Sequence, residues 1–188
     1  MALSPLGEFF ERAFDEDWFP RVKYCPSEAS PCAFGPIDSR GTVRWRPVKR
    51  DPVVAIEPIV EFARDHVVED ANDFLASFYS ASLECRFGYE YLVLDCGAWN
   101  DEEFQRKQAA IDKHIEKQAD WAVCKSVPLG RSASGSGCYI GLNLESGEVW
   151  TEQHGREPIE KLAASYSDFL AGLKCVHAAN ESVLATYE

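Results

Sequence analysis

The stretch from Cys138 to Leu173 constrains the fold of this 188-residue chain more than any other part. Between Cys138 and Leu144, apolar and polar residues alternate with the period of two that is typical of a strand with one buried face. Ser146-Gly147 follows, and glycine accepts the positive φ that a tight hairpin turn needs. A return strand begins at Val149. The stretch therefore opens with a predicted β-hairpin.

A helix is predicted to follow this hairpin and to lie on it. Pro158 stands where a first helical turn tolerates a missing N–H. Apolar residues then recur at helical spacing and form one stripe: Ile159, Leu162, Ala163, Tyr166, Phe169, Leu170 and Leu173. Hairpin and helix make a two-layer unit to which the other elements can be fitted.

Five further elements are predicted before the hairpin. Apolar spacing favours an N-terminal helix over residues 6–18 and a second helix over about 66–82. A short strand is predicted at 42–47 and a longer, half-buried strand at 85–95. Asn100, with Glu103 three residues later, forms a capping box that predicts a third helix.

Strands thus run between helices without the regular alternation of a doubly wound sheet. The pattern predicts an α+β fold, with an antiparallel or mixed sheet and helices packed mainly on one face. A chain of this length favours one domain over residues 1–188, with the N-terminal helix inside 1–20. Residues 131–137 are expected to form a flexible loop, and residues 174–188 a loosely patterned tail.

Acidic residues are concentrated in the middle of the sequence. The chain carries a net charge of −12, and residues 51–104 contain 13 acidic and 2 basic residues, a net of −11. Residues 1–50, in contrast, carry a net charge of +1. Such a field repels nucleic acids and anionic lipids and attracts basic proteins. It could instead serve only solubility, the commoner role of acidic surfaces.

If the acidic region is a binding surface, its candidate residues are the carboxylates of the middle region and of the hairpin turn. They are Glu69, Asp70, Asp73, Asp95, Asp101, Glu102, Glu103, Glu145 and Glu148. The hypothesis is that these groups share one face and contact a cationic segment of a protein partner. Their contact would strengthen as the ionic strength falls.

The sequence contains no motif typical of an enzyme, a metal site or a cofactor site. Its seven cysteines are scattered without a Cys-x-x-Cys, and no two histidines stand at ligand spacing. The glycine-rich loop lacks the Gly-Lys-Ser/Thr ending of a phosphate-binding loop, and Gly-x-Ser-x-Gly is absent. We therefore expect a non-enzymatic protein without cofactor or metal, whose cysteines are free thiols in a reducing compartment.

No apolar run approaches the roughly 20 residues that cross a bilayer, and the first residues do not resemble a signal peptide. A cytoplasmic location is expected on this ground. No transmembrane segment is predicted.

A series of short motifs resembles the Syd family, which belongs to the SUKH superfamily. In order, they are Ser30-Pro-Cys32, Val43-x-Trp45-x-Pro47, Phe78-Tyr79, Phe87-Gly88, Trp99-x-x-Glu-Glu-Phe104-Gln, Ser146-Gly-Glu-Val149, Leu162-Ala and Asp168-Phe-Leu170. Each motif is weak alone, but the ordered series spans about residues 3–173. The chain departs from the family pattern in the Gly/Ser-rich loop at 130–137, the short link between Tyr79 and Phe87, and the tail beyond Leu173.

The resemblance implies a SUKH-type fold and a protein that docks peripherally on the cytoplasmic side of the inner membrane. Its partner would be the basic cytoplasmic loops of the SecY subunit of the protein translocase, whose assembly it would monitor. Other SUKH proteins are immunity proteins that neutralise bacterial toxins, often nucleases. A basic toxin domain is therefore the alternative partner.

Overall fold

The computed structural model describes residues 3–14, 19–56, 59, 63–120, 125–132 and 137–176. The helices are α1 (Pro5–Ala13), α2 (Asp65–Ala76), α3 (Asp101–Asp120) and α4 (Tyr166–Gly172). The strands are β1 (Arg21–Lys23), β2 (Ala33–Phe34), β3 (Thr42–Trp45), β4 (Val48–Lys49), β5 (Phe78–Tyr79), β6 (Leu83–Phe87), β7 (Glu90–Leu94), β8 (Ser126–Ser132), β9 (Cys138–Asn143), β10 (Val149–Gln153), β11 (Glu160–Ala163) and β12 (Leu173–Cys175). The fold is α+β, as the sequence predicts.

A seven-stranded sheet with the order β11-β10-β9-β8-β7-β6-β12 organises the molecule. Its strand pairs are antiparallel. Two smaller sheets, β1-β3-β2 and β4-β5, accompany it. Alternate side chains of the large sheet, such as Leu94 and Leu142, are fully buried because they point into one continuous hydrophobic core.

Helices α1, α2 and α4 pack together on the face of the sheet to which these side chains point. Phe169 of α4 contacts Phe87 of β6, with ring centroids 5.3 Å apart. Helix α3 lies against the opposite face, where the side-chain amide of Gln118 donates to the hydroxyl of Ser126, 2.8 Å away. Three of the four described α-helices therefore share one face, in agreement with the predicted layering.

The predicted hairpin is confirmed in its two strands and in its turn. Strands β9 and β10 pair antiparallel, with Leu142 opposite Val149. Gly147 has φ +76° in the turn, a conformation that costs glycine little. Ile140, Leu142 and Leu144 are all buried, as the alternation predicts.

The predicted helix from Pro158 to Leu173 is wrong in its first half. Residues 160–163 form β11, which satisfies the otherwise open edge of β10, and Ile159 is 57% exposed. The helix begins only at Tyr166, where the Ser165 hydroxyl accepts the N–H of Asp168 at 3.1 Å. Leu173 belongs to β12.

The predicted strand at 85–95 is two strands joined by a turn. Gly88 has φ +59° between β6 and β7, and Tyr89, predicted to lie on a strand face, is 97% exposed at this turn. The alternation of side chains continues on both sides of the turn, and for this reason the sequence alone predicts one strand.

The other boundaries differ less. The predicted helix at 66–82 ends at Ala76, since residues 78–79 form β5. Helix α3 begins after Asn100, whose side-chain oxygen accepts the N–H of Glu103 at 2.9 Å, as the capping box predicts. Residues 15–18 of the predicted first helix, 133–136 of the predicted loop and 177–188 of the predicted tail lie outside the described residues.

Candidate partner-binding surface

The N-terminal end of α2 packs against the β9–β10 turn. A Cβ atom built on Gly147 would lie 3.3 Å from Cγ2 of Val67 and 3.7 Å from Nε2 of His66. Four of the nine predicted carboxylates lie within four residues of this contact. We call them the turn group: Glu69, Asp70, Glu145 and Glu148. Two acidic segments distant in sequence therefore meet here.

The C-terminal end of α2 packs against the segment that joins β7 to α3. The N–H of Gly97 donates to the carbonyl oxygen of Phe74 at 2.8 Å. Four other predicted carboxylates lie around this segment. We call them the loop group: Asp95, Asp101, Glu102 and Glu103. The rise of α2 from Val67 to Phe74 separates the two contacts by about 10 Å along the helix axis.

In the turn group, the surroundings of Asp70 disfavour its ionised form. Burial, and then the charges of Asp73 and Glu69, raise the pKa of Asp70 to about 6, while His66 opposes the shift. Glu69 and Glu145 are exposed. The half-buried Asp70 therefore lies in a negative field that a cationic partner would relieve.

Glu148 is the one member of the turn group with a described ion pair. Its carboxylate lies 3.2 Å from Nζ of Lys161 and accepts the indole N–H of Trp150 at 3.2 Å. The hydrogen bond from Lys161, more than any other contact, lowers the pKa of Glu148. Lys161 is exposed and Glu148 is partly exposed, so that a competing cation can exchange with Lys161.

The loop group is more strongly engaged in the fold. Asp101 accepts hydrogen bonds from the guanidinium of Arg50 at 2.9 Å and from the hydroxyl of Tyr79 at 2.7 Å. Glu103 accepts the N–H of Trp99 at 2.5 Å and lies 3.6 Å from Nζ of Lys107. These contacts give two of the four carboxylates a structural role.

The other two members of the loop group, Asp95 and Glu102, have different surroundings. Asp95 accepts the hydroxyl of Ser82 at 2.6 Å. Glu102 is exposed in the first turn of α3, where a carboxylate also stabilises the helix dipole.

Asp73 does not lie on the predicted surface. It is 8% exposed, and its Oδ2 accepts the N–H of Leu6 at 2.9 Å and the hydroxyl of Tyr166 at 3.0 Å. On α2 alone, Asp73 continues the acidic side of Glu69 and Asp70, but α1 and α4 cover it. Its carboxylate joins three helices instead of facing a partner.

One acidic residue that the sequence reasoning omitted belongs with the turn group by position. Asp65 is exposed in the first turn of α2, one residue before His66. The preference for acidic residues in the first helical turn was the available signal.

Neither of two hollows on the described surface is lined by the nine carboxylates. The larger, about 430 Å³, lies beside α1 and is bounded by Phe10, Phe19, Arg46 and Lys49 among others. The smaller, about 230 Å³, lies between the end of α1 and β12. The acidic groups therefore occupy surface outside these two hollows.

Within the described part of the chain, no three histidine, cysteine or acidic side chains are arranged to hold a metal ion. In that same part, no helix is both long enough and apolar enough to cross a membrane.

Comparison with known proteins adds a family to this geometry. The family model described as Syd protein (SUKH-2) matches residues 2–175. A curated relative named Protein Syd, from Shewanella denitrificans, is 31% identical over 168 residues, which cover 87% of this chain and 74% of the relative. Protein Syd from Psychromonas ingrahamii is 29% identical over 176 residues, covering 90% and 94%. Protein Syd from Shewanella frigidimarina is 30% identical over 159 residues, covering 82% and 71%.

Proposed function

The chain belongs to the Syd family, and on this premise we propose that it is a non-enzymatic, cytoplasmic binding protein that docks peripherally on SecY. In this proposal an acidic surface contacts the basic cytoplasmic loops of SecY and monitors the assembly of the protein translocase. The turn group forms the centre of that surface, and Asp95 and Glu102 extend it.

The observation that carries the proposal is the packing of Gly147 against Val67 and His66. This contact gathers carboxylates from α2 and from the β9–β10 turn that are more than 70 positions apart in sequence. Negative charges from two rigid elements create a stronger field than either element alone. Burial, and then the charges of Asp73 and Glu69 on the same helix, raise the pKa of Asp70, which supports a contribution of α2 to that field.

An exposed carboxylate contributes little affinity by itself, because water and salt screen its charge. Several carboxylates on one surface mainly steer a cationic partner and set its orientation, which raises the association rate. Trp150, half-buried beside Glu148 and Lys161, offers adjoining apolar area for a side chain of the partner.

An immunity protein that neutralises a basic toxin domain is the second candidate function, because the turn group would attract such a domain for the same reason. The match of the Syd family model to residues 2–175 favours SecY. Charge alone does not separate the two partners.

The experiment compares sedimentation of the protein with inner-membrane vesicles that contain excess SecY and with vesicles that lack the excess. Glu69→Lys/Glu145→Lys reverses two exposed charges of the turn group. Glu116→Lys/Glu157→Lys is the matched control, since these exposed residues lie on α3 and beyond β10, away from the β9–β10 turn.

We expect SecY-dependent sedimentation of the wild type, which weakens as salt is raised from about 50 to 300 mM. The turn-group variant should lose most of this binding, and the control variant should keep it. Equal sedimentation with both kinds of vesicle would refute the SecY assignment, and rescue of cells from a toxin would then test the immunity function. Equal loss in both variants would show that net charge, not the turn group, governs the contact.

A further inference from the structure

Two cysteines far apart in sequence face each other across neighbouring strands of the large sheet. Cys85 of β6 and Cys175 of β12 are direct partners in the register, and their Sγ atoms lie 3.5 Å apart. Both are free thiols. Neither contributes to the proposed partner-binding surface.

The backbone at this position has the spacing that a disulfide requires. The N–H of Val176 donates to the carbonyl oxygen of Glu84 at 2.9 Å. Since hydrogen-bonded and non-hydrogen-bonded pairs alternate along an antiparallel ladder, Cys85 and Cys175 form a non-hydrogen-bonded pair. The Cα atoms of such pairs are about 4.5 Å apart, within the range of about 4.4–6.8 Å that disulfides span.

We propose that Cys85 and Cys175 form a dithiol site that a low-molecular-weight disulfide of the glutathione type oxidises to an intramolecular disulfide. The new bond fastens the edge strand β12 to β6. It therefore links the end of the described chain to the middle of the sequence.

The reaction is two successive thiol–disulfide exchanges. The thiolate of Cys175 attacks one sulfur of the small disulfide, forms a mixed disulfide and releases one small thiolate. The sulfur of Cys85 then attacks Sγ of Cys175 and releases the second thiolate. The two cysteines lose two electrons and two protons, which convert one small disulfide into two small thiols.

The surroundings of the two sulfurs assign this order. Cys175 is partly exposed, whereas Cys85 is fully buried. The hydrogen bond with Cys175, followed by burial, raises the pKa of the Cys85 thiol well above its usual range. Cys85 therefore stays protonated until an attacked Cys175 lies against it, and Cys175 is the point of entry.

The disulfide would change the stability of the sheet edge. β12 stands at one end of the strand order, with β6 as its one strand neighbour, and it also contacts α1. A cross-link between positions 85 and 175 restricts a long segment of the unfolded chain, which is the condition for a large stabilisation. We expect the oxidised protein to have a Tm about 5–15 °C above that of the reduced protein.

The test incubates the full chain with oxidised glutathione, quenches with acid, and maps peptides by mass spectrometry without reduction. The expected result is a cross-linked peptide pair containing positions 85 and 175, a loss of two free thiols, and a raised Tm. Cys175→Ser should show none of these changes. Cys25→Ser, which removes an exposed thiol, should show all of them.

Cys85→Ala is a second variant, for the case that Cys175→Ser does not fold. If this variant folds, as judged by far-ultraviolet circular dichroism, it should retain glutathione on Cys175 as a stable mixed disulfide. A stable mixed disulfide on Cys175 of the wild type would overturn the proposal. So would a cross-link between other cysteines, no loss of thiols, or a disulfide that leaves the Tm unchanged.

Discussion

The hydroxyl of Tyr166 donates a hydrogen bond to the carboxylate of Asp73 at 3.0 Å, although the two residues are 93 positions apart. The same oxygen accepts the N–H of Leu6, so that one carboxylate joins α1, α2 and α4. A buried carboxylate is tolerated only where hydrogen bonds replace water. These bonds therefore fix the positions of three helices on the face of the large sheet that carries the hydrophobic core.

Tyr166→Phe removes the hydroxyl and leaves Asp73 with one described donor fewer. The variant is expected to lose about 1–3 kcal/mol of unfolding free energy, because a buried charged acceptor loses a hydrogen bond. Urea denaturation at pH 7 measures the change. Tyr89→Phe, at a position 97% exposed, is the control and should leave the midpoint where it is.

Tyr166 should also make the stability of the protein depend on pH in the alkaline range. Burial, and then the charge of Asp73, raise the pKa of Tyr166 well above its usual value. The contribution to stability is complete below about pH 10, where the unfolded tyrosine is also neutral, and is lost as the pH rises further. Between pH 9 and 11, the wild type should therefore lose stability more steeply than Tyr166→Phe. Parallel curves would contradict this assignment.

Asp70→Asn is expected to stabilise the protein at pH 7. The pKa of Asp70, raised to about 6 in the folded state and 3.8 as the reference, means that folding favours the protonated form. Its contribution to stability is complete below about pH 4 and is lost as the pH rises through 6. The gain of the variant should be about 1 kcal/mol at pH 7 after allowance for solvent screening, and should vanish near pH 4.

Denaturant titrations at the two pH values measure this difference, with Glu116→Gln, an exposed change on α3, as the control. The proposed function adds a second expectation for Asp70→Asn. Because Asp70 belongs to the turn group, a variant that gains stability should lose partner affinity. Such a trade-off between stability and binding is expected of a functional carboxylate. A variant that gains both would separate Asp70 from the binding surface.

Gly141→Ala tests the close packing of β9 against β10. A Cβ atom at position 141 would overlap the carboxylate of Glu152, which is 4% exposed and accepts the hydroxyl of Ser126 at 2.6 Å. The added methyl group must displace a buried, hydrogen-bonded carboxylate. We expect a loss of at least about 2 kcal/mol of unfolding free energy. An unchanged urea midpoint, as expected for Ser146→Ala in the exposed turn, would show that Glu152 moves freely.

The hairpin could be predicted from sequence because its strand alternation and its turn residue lie within 16 consecutive positions. Where two structures fit the same pattern, local information fails. Residues 159–163 fit a helical stripe, but the open edge of β10 recruits them as β11. The cap of the actual helix, Ser165 with Asp168, was present in the sequence and gives its start correctly.

The candidate binding surface shows the same limit of local sequence information. Charge composition locates the acidic part of the chain, but it does not tell which carboxylates other elements cover or bind. Asp73 and Asp101 have the same local signature as Glu69 and Glu102, and only the approach of Leu6, Tyr166 and Arg50 distinguishes them. Likewise, nothing in the spacing of the cysteines predicts that Cys85 and Cys175 are paired in register.

The last prediction concerns Arg50 and Asp101, and it distinguishes residues that stabilise the fold from residues that contact the partner. Its side chain is 6% exposed, and its guanidinium carbon lies 3.9 Å from the ring centroid of Phe104 and 4.6 Å from that of Tyr79. A guanidinium can stack on both rings and still bond Asp101, whereas an ammonium cannot reproduce this planar contact. Arg50→Lys should therefore cost about 1–3 kcal/mol of unfolding free energy.

Asp101→Asn completes the test, because it removes the charge that Arg50 neutralises. Since this carboxylate already binds a cation within the protein, a cationic partner gains little from it. Asp101→Asn should lower the urea midpoint, while its SecY-dependent sedimentation stays within about twofold of the wild type under conditions where both are folded. A tenfold loss of binding without loss of stability would instead place Asp101 in the docking surface and make the loop group a direct contact.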